Sequence, residues 1–547
     1  TIGGVAVGGS LAQARNESDV LVDIDFEKVF VSQDLDIRAL NETDLEYLSR
    51  GKVGGAVGIG GSVARGRDTS SAVMRLTATD RFEAFGDFTA IAGGNTYLFG
   101  NSNAGRGGII TSFASDLRLI VDTTTELVLD GTGITVGTAT VQTDRTVAFE
   151  SNSDSIAVAV ADFGATRQIN TVDIANTLRV NSAITAGTIR LLANTDVTKR
   201  AIDFNGVTGL YGGGGRSALA SRSTVINDSA IILTPNAVLT QVATSANEIT
   251  DPGFVEIAVA TEYDLTDRLR GDMGGLVLRP DIVSNLSVGA LEPGGERSSG
   301  RISLDGAGIM ANGDVFVTST SSAALSTESY ARTYGAAGSG KAEAQAVFRN
   351  DNTIDMTGSD IVSRRGDIAV MAGQTVDNVQ SVQEYAEARV YNRTAIPLRS
   401  NPLAYSAVDQ KNVVRLDASS SLRAARDVQL AGVDGVVDPY AYSYAIDTYK
   451  EAAQAVANFF GGLVGAEDVS LARIGGDTAN SSMSGLLVDG SIEAGAFGTQ
   501  RMIVDYTGGT RRPINTAADL DITVTGDLPY ELDLNRRVGQ EIETYLA

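Results

Sequence analysis

The chain has 547 residues, of which 43% are hydrophobic and only 6% aromatic, and it contains no tryptophan. It has neither cysteine nor histidine, which excludes disulfides, thiolate or imidazole metal sites, cysteine nucleophiles and histidine acid–base catalysis. The net charge of −24 argues against a nucleic-acid binder or a protein that docks on anionic membranes. No stretch reaches the roughly 18 apolar residues of a membrane-spanning helix.

Short strands separated by tight turns are predicted along most of the chain. Two alternating apolar runs flank a small polar bend in each of several segments, and Gly, Asn and Asp supply the backbone angles that the bend needs. Each segment is therefore predicted to be a strand, turn, strand unit. These segments are 127–141 (LVLDGTGITVGTATV), 184–192 (ITAGTIRLL), 309–317 (IMANGDVFV), 361–370 (IVSRRGDIAV), 422–430 (LRAARDVQL) and 492–504 (IEAGAFGTQRMIV).

Asp314, Asp367 and Asp427 hold equivalent places in three of these units and lie 53 and 60 positions apart. Because this spacing is long for a solenoid coil of about 20–25 residues, we predict two or three coils per sequence repeat, with insertions in the turns. Stacked units would share one core, with Asp and Gly aligned at the corners. The side chains predicted to point inward in vertical stacks are those of Val315, Val317, Ile368, Val370, Val428 and Leu430.

The predicted fold class is all-β, an elongated parallel β-helix (β-solenoid) with turn insertions, running through residues 1–547 as one continuous unit. At about 4.8 Å per coil it would form a rod of order 100 Å or more. Serial β-sandwiches are the alternative, but no Pro- or Ser-rich linker marks their boundaries. Because the chain starts at Thr1 without a Met or a visible cap, we expect it to be a processed or excised part of a longer protein.

One short helix is predicted beside the solenoid, at residues 448–465. This segment (TYKEAAQAVANFFGGLVG) begins with helix formers, carries apolar residues at helical spacing and ends at a Gly pair. Just before it, Tyr440, Tyr442 and Tyr444 alternate and so share one strand face. This face is interpreted either as an aromatic surface packed under the helix or as a platform on which sugar rings stack.

Residues 358–373 (GSDIVSRRGDIAVMAG) and 419–432 (SSSLRAARDVQLAG), with the alternating Ala/Tyr stretches between them, resemble the filamentous-haemagglutinin-like adhesins of Gram-negative bacteria. The resemblance is clearest between about 300 and 505. It implies a secreted parallel β-helix at the cell surface that mediates attachment, cell–cell contact or biofilm matrix building. Its implied partners are surface glycans or proteins, or other copies of the chain, and it implies no catalytic residues.

Two further segments are predicted to be ligand-contact loops. One is the glycine loop from Gly212 to Gly215. The other is the Arg-Gly-Asp sequence Arg270, Gly271 and Asp272, which binds integrins when it is displayed on a mobile loop. A second Arg-Gly-Asp at 365–367 lies inside a repeat unit, where its Gly and Asp already have a role in the turn.

Catalysis is not expected, although β-helices also include polysaccharide lyases and hydrolases. Asn194-Thr195-Asp196 matches one of the four elements of a polygalacturonase-type site, and the other three are missing. Carboxylates at i, i+2 occur at 23/25, 34/36 and 519/521, and are interpreted as solvated strand faces. No cofactor is expected, and incidental calcium at corner Asp residues is left open. We therefore expect a non-enzymatic extracellular adhesin or structural fibre protein. The alternatives are a self-assembling filament or surface-layer subunit, and a β-helix lyase, hydrolase or tailspike-like protein.

Overall fold

A computed structural model describes residues 2–201, 203–242, 253–292, 294–398, 400–448, 470–495, 502–507 and 510–514. All the regular secondary structure in these ranges is β-strand. The helix predicted at 448–465 lies outside the described residues except for Thr448, the last residue of a strand. The described part of the chain also holds no helix that could cross a membrane.

The described residues form 28 strands. They are β1 (Ile2–Asn16), β2 (Asp19–Val31), β3 (Leu35–Asp68), β4 (Ser71–Ala84), β5 (Asp87–Gly131), β6 (Ile134–Thr135), β7 (Thr138–Asn181), β8 (Ile184–Ala186), β9 (Thr188–Lys199), β10 (Gly206–Leu233), β11 (Val238–Gln241), β12 (Phe254–Val288), β13 (Ser298–Asp305), β14 (Gly308–Ala311), β15 (Asp314–Gly338), β16 (Lys341–Thr357), β17 (Asp360–Ser363), β18 (Ile368–Ala372), β19 (Ser381–Pro397), β20 (Asn401–Leu416), β21 (Ser421–Ala424), β22 (Asp427–Gly432), β23 (Val436–Thr448), β24 (Ser470–Gly475), β25 (Asp477–Val488), β26 (Ser491–Ala494), β27 (Met502–Thr507) and β28 (Thr510–Ile514).

These strands pair into one large sheet that winds on itself like a solenoid. The described pairs are parallel except β23–β24 and β27–β28, which are antiparallel. The chain passes nine times through the same ladder of register partners. Starting from Leu35, that ladder continues through Phe88, Ala139, Ile189, Val255, Val315, Ile368, Val428 and Ile503.

Each coil takes fifty residues or more, so the prediction of two or three coils per sequence repeat is wrong. The backbone N–H of Asp367 bonds to Asp314 in the adjacent layer, 53 positions away, and that of Asp427 bonds to Asp367, 60 positions away. The coil is long because its strands continue through bends, and β5 alone has 45 residues. Nine layers at about 4.8 Å stack to only about 40 Å, so the expected rod of 100 Å or more is also wrong for the described chain.

Each coil has three rows, which the second layer illustrates. Its first row is 88–106, its second row 107–121 and its third row 124–135. The bend between the first and second rows carries a column of small residues. A Cβ on Gly275 would overlap the carbonyl oxygen of Gly212, and one on Gly335 would overlap that of Gly275. Glycine is required here because successive layers approach each other backbone to backbone.

The strand, turn, strand units of the sequence all form the same corner, where the third row of one layer passes into the first row of the next. Ile309, Ile361, Leu422 and Ile492 are successive partners in this corner. The prediction that Val315, Val317, Ile368, Val370, Val428 and Leu430 point inward and stack is confirmed. The predicted alignment of the corner Asp residues is confirmed as well, because Asp314 accepts the backbone N–H of Asp367 and Asp367 accepts that of Asp427.

The interior of the coil divides into two lobes. The first lobe lies between the third row and the start of the first row, and it is apolar in every layer. One of its stacks consists of Ile24, Leu76, Leu129, Val180, Leu233, Leu304, Met356, Leu416 and Val488. A polar seam closes this lobe, in which the amide of Asn352 donates to Asn412 Oδ1 of the next layer at 2.7 Å.

The second lobe lies between the first and second rows and mixes apolar stacks with polar ones. Serine hydroxyls bond across it, with Ser49 2.9 Å from Ser62 and Ser102 2.7 Å from Ser115. Among the residues that the structure describes, three ion pairs are fully buried in this lobe or at the seam. They are Arg106–Asp162, Arg145–Asp68 and Lys199–Asp267.

Candidate functional site: the axial groove and its tyrosines

The outer side of the first row carries a groove that follows the solenoid axis from layer to layer. Parallel, in-register pairing places the same outward position of each coil about 4.8 Å above the last, so outward side chains align into rows. Two adjacent rows form the floor. One consists of Asp44, Tyr97, Ala148, Thr198, Asp264, Ala324, Gln383 and Asp438. The other includes Glu42, Asn95, Thr146, Asp196, Glu262 and Ser322.

Three cavities follow one another along these rows, and together they make up the axial groove. The first, of about 440 Å³, includes Glu42, Asp44 and Tyr97 in its lining. The second, of about 570 Å³, spans from Asp144 to Ser322. The third, of about 460 Å³, spans from Asp264 to Tyr440. Together the three cavities line eight successive coils, from the layer of Glu42 to the layer of Tyr440.

Carboxylates recur along the groove and give it a negative field. Asp144, Asp196 and Glu262 line the middle cavity, and Asp264 and Asp438 line the third. Within the described residues, however, no three acidic side chains are grouped closely enough to hold a metal ion. The carboxylates are therefore spread as separate hydrogen-bond acceptors along the axis, together with amides and hydroxyls such as those of Asn194 and Thr266.

Two stacked tyrosines form one wall of the third cavity. The rings of Tyr385 and Tyr440 lie 5.4 Å apart, centroid to centroid, and only 6° from parallel. The Tyr385 hydroxyl donates to the carboxylate of Glu387, and Arg389 pairs with the same carboxylate. Burial is the largest cause that raises the pKa of Tyr385, followed by its hydrogen bond to Glu387. The ring is thereby held neutral and fixed in position beside the groove.

Tyr440, Tyr442 and Tyr444 alternate along β23, and all three are at least partly exposed on its outer face. Tyr442 stacks on Tyr444 at 6.1 Å, and Tyr444 meets Tyr391 edge-on at 5.7 Å. Of the three predicted tyrosines, only Tyr440 lines the third cavity. Tyr442 and Tyr444 continue the aromatic surface away from the groove, toward the bend between the first and second rows.

The Arg270-Gly271-Asp272 sequence lies inside strand β12 and is not a loop. Arg270 Nε donates to Asp272 Oδ2 at 2.8 Å, and Arg332 of the next layer pairs with the same carboxylate. The Arg270 guanidinium also lies over the rings of Phe204 and Tyr330, at 5.5 and 5.9 Å. Both charged groups of the motif are thus engaged within the sheet. The copy at 365–367 lies in the repeated corner, as its position in the sequence predicted.

The segment from Gly212 to Gly215 is likewise part of a strand, β10, and not a loop. It lies at the bend between the first and second rows, where Gly212 belongs to the column of small residues. On the outside of the same bend, large apolar side chains project into solvent. The flanking register partners place Ile109, Val160, Gly213 and Leu276 in one row there, and its three large side chains are 56%, 60% and 64% exposed.

No protein-family model, curated protein or solved structure matches this chain. The predicted site residues therefore stand on their geometry alone. The structure brings Tyr440 to the groove and leaves Arg270, Gly271, Asp272, Gly212 and Gly215 in paired strands. The groove itself was missed. Its only trace in the sequence is that outward polar residues recur once per coil. From the sequence, the length of one coil is interpreted as two or three coils, so this recurrence gives no prediction of a groove.

Proposed function

We propose that the chain is an extracellular parallel β-helix protein, an adhesin or structural fibre component without catalytic activity, and that it holds an extended glycan along its axial groove. The observation that carries the proposal is the succession of cavities along the axial groove, the third of which has the Tyr385–Tyr440 pair as its wall. Aromatic rings pack against the apolar faces of sugar rings, and carboxylates, amides and hydroxyls accept or donate hydrogen bonds to sugar hydroxyls. The glycan-binding role, the extracellular location and the likeness to adhesins all belong to this proposal.

The acidic lining specifies the class of glycan. A polyuronate would place its carboxylates against Asp264 and Asp438, so it would be repelled, whereas a neutral or amino-sugar polymer would not. Binding should be measured by calorimetry with soluble neutral, amino-sugar and uronate polysaccharides. We expect binding to the first two and none to the third, and equal binding to all three would contradict the groove as the site.

A pair of variants locates the binding site. We expect Tyr385→Ala combined with Tyr440→Ala to weaken binding at least tenfold, which corresponds to about 1.4 kcal/mol, because the double variant removes both aromatic rings of the cavity wall. The matched control is Tyr442→Ala combined with Tyr444→Ala, which alters the same outer face outside the cavity lining. If the control weakens binding as much as the test pair, the ligand does not occupy the groove.

A self-assembling filament is the second candidate, favoured by the row of exposed Ile109, Val160 and Leu276. Exposed apolar patches of this kind mark interaction surfaces. Electron microscopy and sedimentation of the chain without any glycan would reveal fibres or oligomers. Dissociation of those assemblies by Val160→Asp, with glycan binding absent, would replace the adhesin proposal with this one.

A glycan-cleaving enzyme is the third candidate, and it rests on Asp144, Asp196 and Glu262, which line one cavity. The test is the release of new reducing ends or unsaturated uronates from a panel of polysaccharides, with and without calcium. Turnover abolished by Asp196→Asn would overturn the non-enzymatic proposal, and binding without turnover would support it.

A further inference from the structure

A lysine, an asparagine and an aspartate meet in the interior of the second lobe. Lys199, Asn205 and Asp267 are each no more than 1% exposed. Lys199 ends strand β9, Asn205 directly precedes β10, and Asp267 lies in β12 of the next layer. No part of the axial groove or of the proposed glycan site involves these three side chains.

Both nitrogens converge on a single oxygen of the aspartate. Lys199 Nζ donates to Asp267 Oδ1 at 2.5 Å, and Asn205 Nδ2 donates to the same atom at 2.6 Å. The other carboxylate oxygen accepts the Ser284 hydroxyl. The lysine and asparagine nitrogens therefore lie no more than about 5 Å apart, with a carboxylate between them.

The asparagine carbonyl is polarised from its other side. The backbone N–H of Arg268 donates to Asn205 Oδ1 at 2.6 Å. A backbone N–H aimed at a carbonyl oxygen is the element that stabilises the negative charge of a tetrahedral intermediate. Burial, moreover, is the largest cause that lowers the pKa of Lys199, which favours the neutral amine. A neutral, buried lysine amine is an effective nucleophile.

The local strand register explains why these groups meet. Phe149 pairs with Lys199, and Ser153 pairs with Gly206, so between the same partners the layer below has three residues and this layer has six. The layer above also has three residues there, between Leu265 and Leu269. The parallel register therefore stops at Lys199 and resumes at Gly206. The two ends of this insertion are held together inside the coil by Asp267.

We propose that Lys199 and Asn205 become joined by an intramolecular isopeptide bond, with Asp267 as the proton carrier. Lys199 Nζ attacks Asn205 Cγ, a C–N bond forms, and the Cγ–Nδ2 bond breaks. Asp267 accepts the proton that the amine loses and delivers it to the departing Nδ2, which leaves as ammonia. The atoms balance without any oxidant or co-reactant, because an amine and a primary amide become a secondary amide and ammonia.

The other two buried ion pairs provide an internal comparison. Arg106–Asp162 and Arg145–Asp68 also place a cation beside a buried carboxylate. Their guanidinium groups are not acyl-transfer nucleophiles under these conditions, since arginine keeps its proton and its delocalised charge. Among the three, only the Lys199 pair combines a nucleophilic amine, an amide on the same carboxylate oxygen and an N–H on the amide oxygen.

Intact-mass and peptide mapping of the folded, purified chain tests the bond. The expected mass is lower than the sequence mass by one ammonia. Trypsin should fail to cut after Lys199, and fragmentation should place a link between Lys199 and Asn205. Lys199→Arg, which keeps a cation beside Asp267, should restore the full mass, whereas the control Lys341→Arg, at a partly exposed lysine on the outer side of β16, should retain the loss.

Three results would overturn the proposal. The full sequence mass in the wild-type chain shows that no bond forms. Loss of one water with a Lys199–Asp267 link shows condensation with the carboxylate instead. Loss of ammonia that maps to Asn205, with normal cleavage after Lys199, shows a succinimide at Asn205–Gly206. The wild-type measurement decides among these outcomes even if the Lys199→Arg variant fails to fold.

Discussion

The two lobes of the coil interior are stabilised in different ways although the same strands enclose both. The first lobe is filled by apolar side chains stacked through all nine layers. The second lobe holds serines, threonines and asparagines bonded across the coil, and buried ion pairs such as Arg106–Asp162 at 2.5 Å. Apolar stacks provide burial energy without directionality, whereas buried polar pairs become costly as soon as one partner is removed.

The comparison of the two lobes also distinguishes the residues that carry the proposed function from those that hold them in register. The axial groove runs along the outer side of the first row, the row that lines both lobes. The apolar corner fixes the register of this row through the Asp314, Asp367 and Asp427 ladder, and the register aligns the groove residues. Variants in the two lobes should therefore differ in how they destabilise the chain, and the predictions below are ordered by the expected effect.

The largest effect is expected from Val428→Asp in the first lobe. Val428 is fully buried between Ile368 and the next layer, so the new carboxylate would have no partner. We expect the variant to lose several kcal/mol of unfolding free energy, or not to fold at all. Urea denaturation is the measurement, with Gln429→Asp on the outer side of the same strand as the matched control. Equal stability of the two variants would show that the proposed inward register is wrong.

A somewhat smaller loss of stability is expected from Arg106→Met in the second lobe, and a second substitution should restore most of it. This change leaves Asp162 buried and unpaired, at a cost of about 3–5 kcal/mol. The double variant Arg106→Met, Asp162→Leu removes both charges and should recover most of that loss. Denaturant midpoints of the two variants measure the difference. No recovery in the double variant would show that the pair acts through packing and not through charge.

A pH-dependent effect is expected at Glu384, which replaces the leucines of the layers below in a second-lobe stack. Burial raises the pKa of Glu384 well above its ordinary value, so the folded state binds this proton more tightly than the unfolded state. The stability that protonated Glu384 contributes is thus fully present below the ordinary glutamate pKa of the unfolded chain, and it is lost as the pH rises through the raised pKa of the folded state. Glu384→Gln should raise stability at pH 8 by roughly 1–3 kcal/mol and much less at pH 4.

Thermal melting across pH 4–8 checks the Glu384 prediction. The control is Glu343→Gln on the outer side of β16, which should keep the pH dependence of the wild type. If Glu384→Gln melts in parallel with the wild type at every pH, the buried carboxylate does not contribute to the pH dependence of folding.

The smallest effect is expected from Ser102→Ala. Its hydroxyl bonds to Ser115 at 2.7 Å, and Ser115 keeps a second partner in Ser153. We expect a loss of about 1 kcal/mol. Leu304→Ala, the comparison in the first lobe, should cost about 2–5 kcal/mol because it leaves a cavity. If Ser102→Ala lost more stability than Leu304→Ala, the hydrogen-bonded serines of the second lobe, and not the apolar stack of the first, would dominate stability.

The first lobe could be predicted from the sequence, and the second lobe could not. Alternation around Val315, Val370 and Val428 marks an inward face directly, and a turn of Gly, Asn or Asp marks the corner. The predicted coil length is wrong because the second row and the bend contain many Gly and Ser residues. Apolar and polar residues alternate only weakly there, so the sequence does not indicate that the strand continues. Ser102 and Ser115 meet only because the chain folds back at a bend, and the sequence contains no turn motif that would predict this bend.

The candidate site was predicted only in part for a related reason. Tyr440 was recognised because three tyrosines alternate within one strand. Tyr385, which stacks on it, lies one coil earlier, and its contact depends on the register. Asp264 and Asp438 likewise meet in the groove only through the stacking of layers. Arg270 and Asp272 were expected in a loop because a local motif does not reveal that Arg332 of the next layer pairs with the same aspartate.

The central claim is that one coil takes fifty residues or more, and engineered disulfides test it most directly because the chain has no cysteine of its own. Ala324 and Gln383 are outward register partners in adjacent layers, whereas Asp438 lies one layer further on. Partners in adjacent parallel strands are close enough for a disulfide, and residues two layers apart are not. We expect Ala324→Cys with Gln383→Cys to oxidise to an intramolecular disulfide and Ala324→Cys with Asp438→Cys to remain reduced. A disulfide in the second pair, or none in the first, would contradict the account.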